Sequence, residues 1–218
     1  MKLKEIYEDV TWIDESLLDE DYPTRWDADE FKSLTSFAAR KRYADNNLQK
    51  IKAGSGRIVY KIDNEKVLKL SKNKKGVAQT QTEIDWGQDW FLKKSGVLAE
   101  IFSFDENALW VEMELARKLT KSNFKRIIGI DFDVFGSWLI RAYELNNGRK
   151  SFTRKPSEQE EEFLWENEFT REVMEVMINY SMPAGDLDRV SSYGIVRNDE
   201  VVIVDYGLSG DVYNTYYT

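Results

Sequence analysis

Along the chain the spacing of apolar positions changes from helical to alternating and back. Phe37, Ala38, Ala39, Tyr43 and Leu48 recur at helical spacing and predict a helix from about Ser36 to Asn47. Ile51-Lys52-Ala53-Gly54-Ser55-Gly56 ends in small residues and reads as a turn. Arg57 to Ile62 and Val67-Leu68-Lys69-Leu70 read as strands, joined by a hairpin turn at Asp63-Asn64-Glu65. A basic turn, Lys72 to Gly76, leads into a predicted helix from Val77 to Lys94. Two short apolar segments, Val97 to Phe104 and Leu109 to Leu115, suit antiparallel strands around Asp105-Glu106-Asn107.

Beyond this point the chain turns mainly helical. Residues 120–146 read as helix, and Gly148 to Glu162 as a charged linker with basic residues followed by acidic ones. Phe169, Val173, Val176, Met177 and Tyr180 mark one face of an amphipathic helix that Pro183 ends. Gly185-Asp186-Leu187 comes next, then two apolar runs, Tyr193 to Val196 and Val201 to Val204. The second run closes on Asp205-Tyr206-Gly207. Residues 1–33 are acidic and dotted with aromatics, and read as an arm rather than part of the core. The fold class expected is α+β.

Composition narrows the chemistry by what it lacks. The 218 residues contain no Cys and no His, which excludes disulfides, thiolate zinc sites and Ser-His-Asp triads. Any reaction must use carboxylates, Lys, Arg, hydroxyls and backbone groups. Oxygen-ligated Mg²⁺ suits that set and serves phosphate chemistry. A net charge of −8 argues against general nucleic-acid binding, though a basic protein partner is compatible with it. No apolar run approaches the roughly 18 residues of a membrane span, and the N-terminus has no signal-peptide core, so a cytoplasmic location is expected.

Several residues could carry such chemistry, each with a plainer alternative. Gly54-Ser55-Gly56 serves equally as a hairpin turn or as a loop whose backbone N–H groups approach phosphate. Lys69 is either a surface lysine of an alternating strand or a cation in a cleft. Glu83, fourteen residues later on a predicted helix, is an exposed carboxylate or the group that orients that ammonium. Asp205, at the mouth of a hydrophobic strand, is a turn cap or a metal ligand. Asp186 is a candidate acceptor for the proton of an attacking hydroxyl.

In this order the residues resemble the protein-kinase-like superfamily, in the style of aminoglycoside-phosphotransferase-type and small phage-type kinase-like proteins, over about residues 48–208. Gly54 and Gly56 are similar to the glycine-rich loop, without its third glycine. Lys69 and Glu83 resemble the strand lysine and its helix partner. Gly185-Asp186-Leu187 resembles the catalytic loop, with Ala184 at the usual His, and Asp205-Tyr206-Gly207 resembles Asp-Phe-Gly. The resemblance implies a two-lobed fold, with an N-lobe over 34–116 and a short, mainly helical C-lobe over 117–218. It also implies ATP and Mg²⁺ as cofactors. Asp186, Lys69 and Glu83 would be catalytic, and Gly54, Ser55, Gly56 and Lys69 would bind nucleotide. Adenine would be received on backbone groups of Glu112 to Ala116, Glu112 and Glu114 among them. Asp205 would hold metal. Ser191 stands where the family has a second metal-binding Asn, a loss Asp188 would offset.

The eleven residues after Gly207 leave no room for an activation segment or peptide-binding helices, so a conventional protein kinase is not expected. An Mg-ATP-dependent phosphotransferase is the leading function. The other reading is a pseudokinase-like protein that binds or inhibits a macromolecular partner through the acidic arm or the aromatic C-terminal tail. A third is an acidic structural module of a larger assembly.

Overall fold

The structure is a computed structural model and describes residues 12–13 and 25–216. Its elements, in order, are β1 (Trp12–Ile13), α1 (Ala28–Ser33), α2 (Phe37–Asn47), β2 (Gln49–Ala53), β3 (Arg57–Lys61), β4 (Lys66–Ser71), α3 (Lys74–Gln88) and α4 (Trp90–Ser95). These are followed by β5 (Ile101–Phe104), β6 (Trp110–Glu114), β7 (Ala116–Lys118), α5 (Lys121–Ile128), α6 (Phe132–Asn146), α7 (Glu158–Glu166) and α8 (Glu168–Asn179). Last come α9 (Ala184–Leu187), β8 (Tyr193–Ile195), β9 (Val201–Ile203) and α10 (Gly210–Tyr216).

Strands β2-β3-β4-β6-β5, in that spatial order, form an antiparallel sheet. Because side chains alternate across a strand, each face has its own core. Ile58, Tyr60, Leu68, Leu70 and Trp110 point to one face, where α1 and α2 cover them with Phe31, Ala44 and Leu48. Val59, Val67, Val111 and Met113 point to the other and join the main core with Ile84 of α3. The mainly helical part supplies Phe124, Phe132, Phe135, Leu164, Val173 and Met177 to that same core. A smaller sheet, β1-β7-β8-β9, pairs β7 with the β8–β9 hairpin, and β1 runs parallel to β7.

Local chemistry explains where sequence-based expectation and structure part. The helix expected over 77–94 is two helices, because extended Asp89 interrupts it and caps α4 through Phe91 and Leu92 N–H. Gly129, at φ 98°, separates α5 from α6 where one helix was expected. The charged linker ends at Ser157, which starts α7 with a capping box to Glu160. Residues 25–33, read from sequence as part of the arm, carry α1, whose Phe31 is fully buried among Trp26, Tyr43 and Trp110. Such burial is worth about 1.5–3 kcal/mol, which makes this stretch part of the core. Most of the expected arm, residues 1–11 and 14–24, lies outside the described residues, as do Tyr217 and Thr218.

Two backbones meet closely at the top of the sheet. A Cβ on Gly76 would lie 2.1 Å from the Gly56 carbonyl oxygen and 2.9 Å from its carbon. Gly76→Ala must therefore push α3 off the β2–β3 turn, and we expect a loss of about 1–3 kcal/mol in urea denaturation. Wild-type stability would show that the approach is not needed.

Candidate active site

Arg57, Val59 and Lys61 alternate with the outward Ile58 and Tyr60, and Lys69 sits on the same inner face directly across from Val59. Arg57 and Lys69 therefore both aim beneath the sheet, where α3 presents Glu83. Lys69 Nζ donates to Glu83 Oε1 at 2.7 Å, and Arg57 Nη1 donates to Glu83 Oε2 at 2.6 Å. All three side chains are fully buried. Lys69 also donates to the Val204 carbonyl at 3.1 Å, and Arg57 Nη2 to Asp205 Oδ1 at 3.0 Å. Two cations and two carboxylates thus join β3, β4, α3 and the segment after β9.

That segment is fixed by packing. Tyr206 is buried, its ring stacked 6.5 Å from Trp86 and its hydroxyl donating to the Ala99 carbonyl at 2.9 Å. Gly207 passes so close to α3 that a Cβ would sit 2.6 Å from the Gln79 carbonyl oxygen. With Tyr206 held inside, Asp205 points the other way and keeps its side chain 22% exposed.

The electrostatics follow from burial and these partners. Burial drives the Lys69 ammonium below its ordinary pKa, with Glu83 opposing. For Glu83 burial pulls upward, but Arg57 and Lys69 more than offset it and leave the carboxyl below the usual range. Asp186, in α9, is pushed up to about 7, first by burial and then by the Asp205 charge. Its Oδ2 is buried with no hydrogen-bond partner. Folded Asp186 therefore holds its proton up to about 7, whereas an unfolded aspartate releases it near about 4. Folding stability should fall as pH rises across that window, because the native state binds the extra proton. Asp186→Asn should flatten that stretch of a Tm-against-pH curve; an unchanged slope would contradict the assignment.

The sequence-predicted residues divide into those brought together and those held elsewhere. Lys69 and Glu83 pair directly, Asp205 is joined to Glu83 through Arg57, and Asp186 lies within reach of the Asp205 charge. Asp188 is half-buried, with Arg189 3.9 Å away and Gly136 packed against it; burial raises its pKa. Ser191 lies in the short turn before β8. Its neighbour Ser192 donates to the Asp186 carbonyl at 2.5 Å.

Gly54-Ser55-Gly56 is a tight turn tied to the start of α3. Lys72 Nζ donates to the Gly54 carbonyl at 2.6 Å, Asn73 to the Ser55 carbonyl at 3.0 Å, and Lys75 to the Ser55 hydroxyl at 2.8 Å. Gly54 N–H donates to the Arg57 carbonyl at 2.9 Å.

The positions expected to receive adenine lie in β6 and just after it. Glu112 lies inside β6, flanked in the sheet by Leu68 and Ser103, and its side chain is on the outer face beside Leu68 and Trp110. Glu114 lines a separate cavity of about 330 Å³ with Gly87, Ile101, Glu200 and Val202. Leu115 N–H donates to the Glu65 carbonyl at 2.7 Å. The apolar run ending at Leu115 had shown the strand but not that both of its edges are paired. Arg57 was the residue missed; its even spacing from Val59 on a strand paired with that of Lys69 was the available signal.

Among the described residues no group of three or more acidic, His or Cys side chains is placed to hold a metal ion. Mg²⁺ in phosphate sites needs only one or two carboxylates, the rest of its shell being phosphate and water. Partly exposed Asp205 fits a cation that arrives with a nucleotide.

No family model and no curated protein matches the chain. Among solved structures it is similar to the gentamicin–APH(2'')-IIa complex (TM-score 0.40, 11% identity, 84% of this chain and 71% of that one). It is also similar to ADP-bound aminoglycoside phosphotransferase APH(2'')-Ib (0.38, 12%, 84% and 71%). The choline kinase LicA of Streptococcus pneumoniae is a third likeness (0.35, 15%, 78% and 67%). These are distant likenesses to protein-kinase-like folds. The chain itself is α+β, with an N-terminal antiparallel sheet and a helical part. No helix among the described residues is long and apolar enough to cross a membrane.

Proposed function

We propose that the chain is an ATP- and Mg²⁺-dependent phosphotransferase acting on a hydroxyl-bearing acceptor. The observation that carries this reading is the position of Lys69. Its ammonium is fixed between Glu83 and the Val204 carbonyl, one residue before Asp205, so phosphate clamp and metal ligand share one floor. Asp205 would hold Mg²⁺, with Asp186 as a second carboxylate nearby; the metal, when bound, neutralises phosphate charge. Lys69 would orient the phosphates and Glu83 would orient Lys69. Asp186, ionised above about pH 7, takes the proton of the acceptor hydroxyl. The acceptor oxygen then bonds to the γ-phosphorus while the bond to the β–γ bridging oxygen breaks, and ADP leaves. The test is label transfer from γ-labelled ATP to a panel of small and protein hydroxyl acceptors. Transfer lost in Lys69→Met and Asp205→Asn supports the reading, and transfer unaffected by either overturns it.

A second reading, a kinase-like binding protein without turnover, is favoured by one specific observation. The segment expected to receive adenine spends Leu115 N–H on Glu65, and β7 lies between β1 and β8. Under this reading wild-type protein transfers no label, and removing residues 1–24, which spares the buried Phe31, or 209–218 abolishes capture of its partner.

A further inference from the structure

Arg57 does more than the Lys69–Glu83 pair requires. Lys69 alone would neutralise Glu83, yet Arg57 places one guanidinium nitrogen on Glu83 and the other on Asp205, 148 residues away in sequence. It is thus a cation bonded to the carboxylate expected to take a metal. Arginine is the side chain suited to such a post, because its planar fork matches carboxylate and phosphate equally well. Its neighbour Gly56 belongs to the turn expected above the phosphates.

We propose that Arg57 is the resident counter-ion of Asp205, and that it passes to the nucleotide phosphates when a divalent cation takes that carboxylate. The inference rests on the phosphotransferase reading above. With the site empty of nucleotide, Arg57 and Lys69 balance Glu83 and Asp205. A divalent cation alone would meet a carboxylate already neutralised and a guanidinium that repels it. The metal–nucleotide complex brings a net negative charge, so the guanidinium gains a phosphate partner as it gives up the carboxylate. The exchange leaves no buried charge uncompensated, which neither metal nor nucleotide achieves alone. Arg57 thereby makes the two ligands bind together, and is a specificity-determining residue for the pair.

The test uses Arg57→Lys, which keeps the charge but cannot span Glu83 and Asp205 with a fork. Mn²⁺ alone is titrated and its free concentration read by electron paramagnetic resonance; ATP is titrated by calorimetry at saturating Mg²⁺. We expect Mn²⁺ to bind about tenfold tighter than to wild type, and ATP about tenfold weaker, the scale of one charge-assisted hydrogen bond. A merely structural tie would leave both constants unchanged or weaken both, and either result overturns the proposal. Should Arg57→Lys not fold, wild type labelled with ¹⁵N-arginine decides. The Arg57 guanidinium resonance should move on adding Mg²⁺ and ADP together and stay in place with Mg²⁺ alone; no movement with the pair overturns the proposal. If wild type binds no ATP with metal, the phosphotransferase reading fails and takes this one with it. Wild-type binding with unaltered constants in Arg57→Lys removes only the role of Arg57.

Discussion

Asp186→Asn should lower phosphate transfer by roughly a hundred- to ten-thousand-fold while the protein stays folded and still binds ATP. The replacement keeps shape and burial but removes the carboxylate proposed to accept the hydroxyl proton. Its Oδ2 has no hydrogen-bond partner to lose, so no structural contact of that oxygen is broken. The carboxylate is also the costly form there, since burial and the Asp205 charge oppose it. The variant should therefore be as stable as wild type below about pH 4 and increasingly more stable from there to pH 8. In wild type the transfer rate should rise with pH between about 4 and 7 and then level, as the base ionises; Mg²⁺ on Asp205 removes a charge that helps to hold the metal-free value at about 7. Full activity in Asp186→Asn, or a rate indifferent to pH across that range, would remove Asp186 from the chemistry.

Glu83→Gln has the largest expected effect on stability, a loss of about 3–5 kcal/mol. Glu83 carries a carboxylate bonded to both Lys69 and Arg57, and all three are sealed from water. Neutralising it takes away the charge that two buried cations share, and water cannot screen the excess. Surface ion pairs such as Lys121–Asp133, with both groups largely exposed, should by contrast be worth less than about 1 kcal/mol. Chemical denaturation of Glu83→Gln beside Asp133→Asn would show the contrast. Comparable small losses in both would mean that the buried network is not holding the sheet to α3.

Much of this was legible in the sequence because it rests on period and punctuation. Alternation in β3 and β4 and the apolar run ending at Asp205 reflect burial on one or two faces, which a single strand records by itself. Lys69, Glu83 and Asp205 were found that way. What pairs across the chain is not recorded locally. Arg57 looked like the first residue of a strand, and only the register against β4 shows it beside Lys69. The partners of β6 were not legible for the same reason; Glu112 is an interior rung between two strands. The breaks at Asp89 and Gly129 were missed where periodicity continues across them; in each case one residue's backbone conformation overrides the apolar spacing.

The most direct test of a working nucleotide cleft is the melting temperature with ATP and Mg²⁺, separately and together, for wild type and Asp205→Ala. A ligand at 100 times its Kd stabilises by about 2.7 kcal/mol, an upward shift of roughly 5–11 °C for a domain of this size. A rise in wild type that needs both ligands and disappears in Asp205→Ala is the predicted result. No rise in wild type, or an equal rise in the variant, would contradict it.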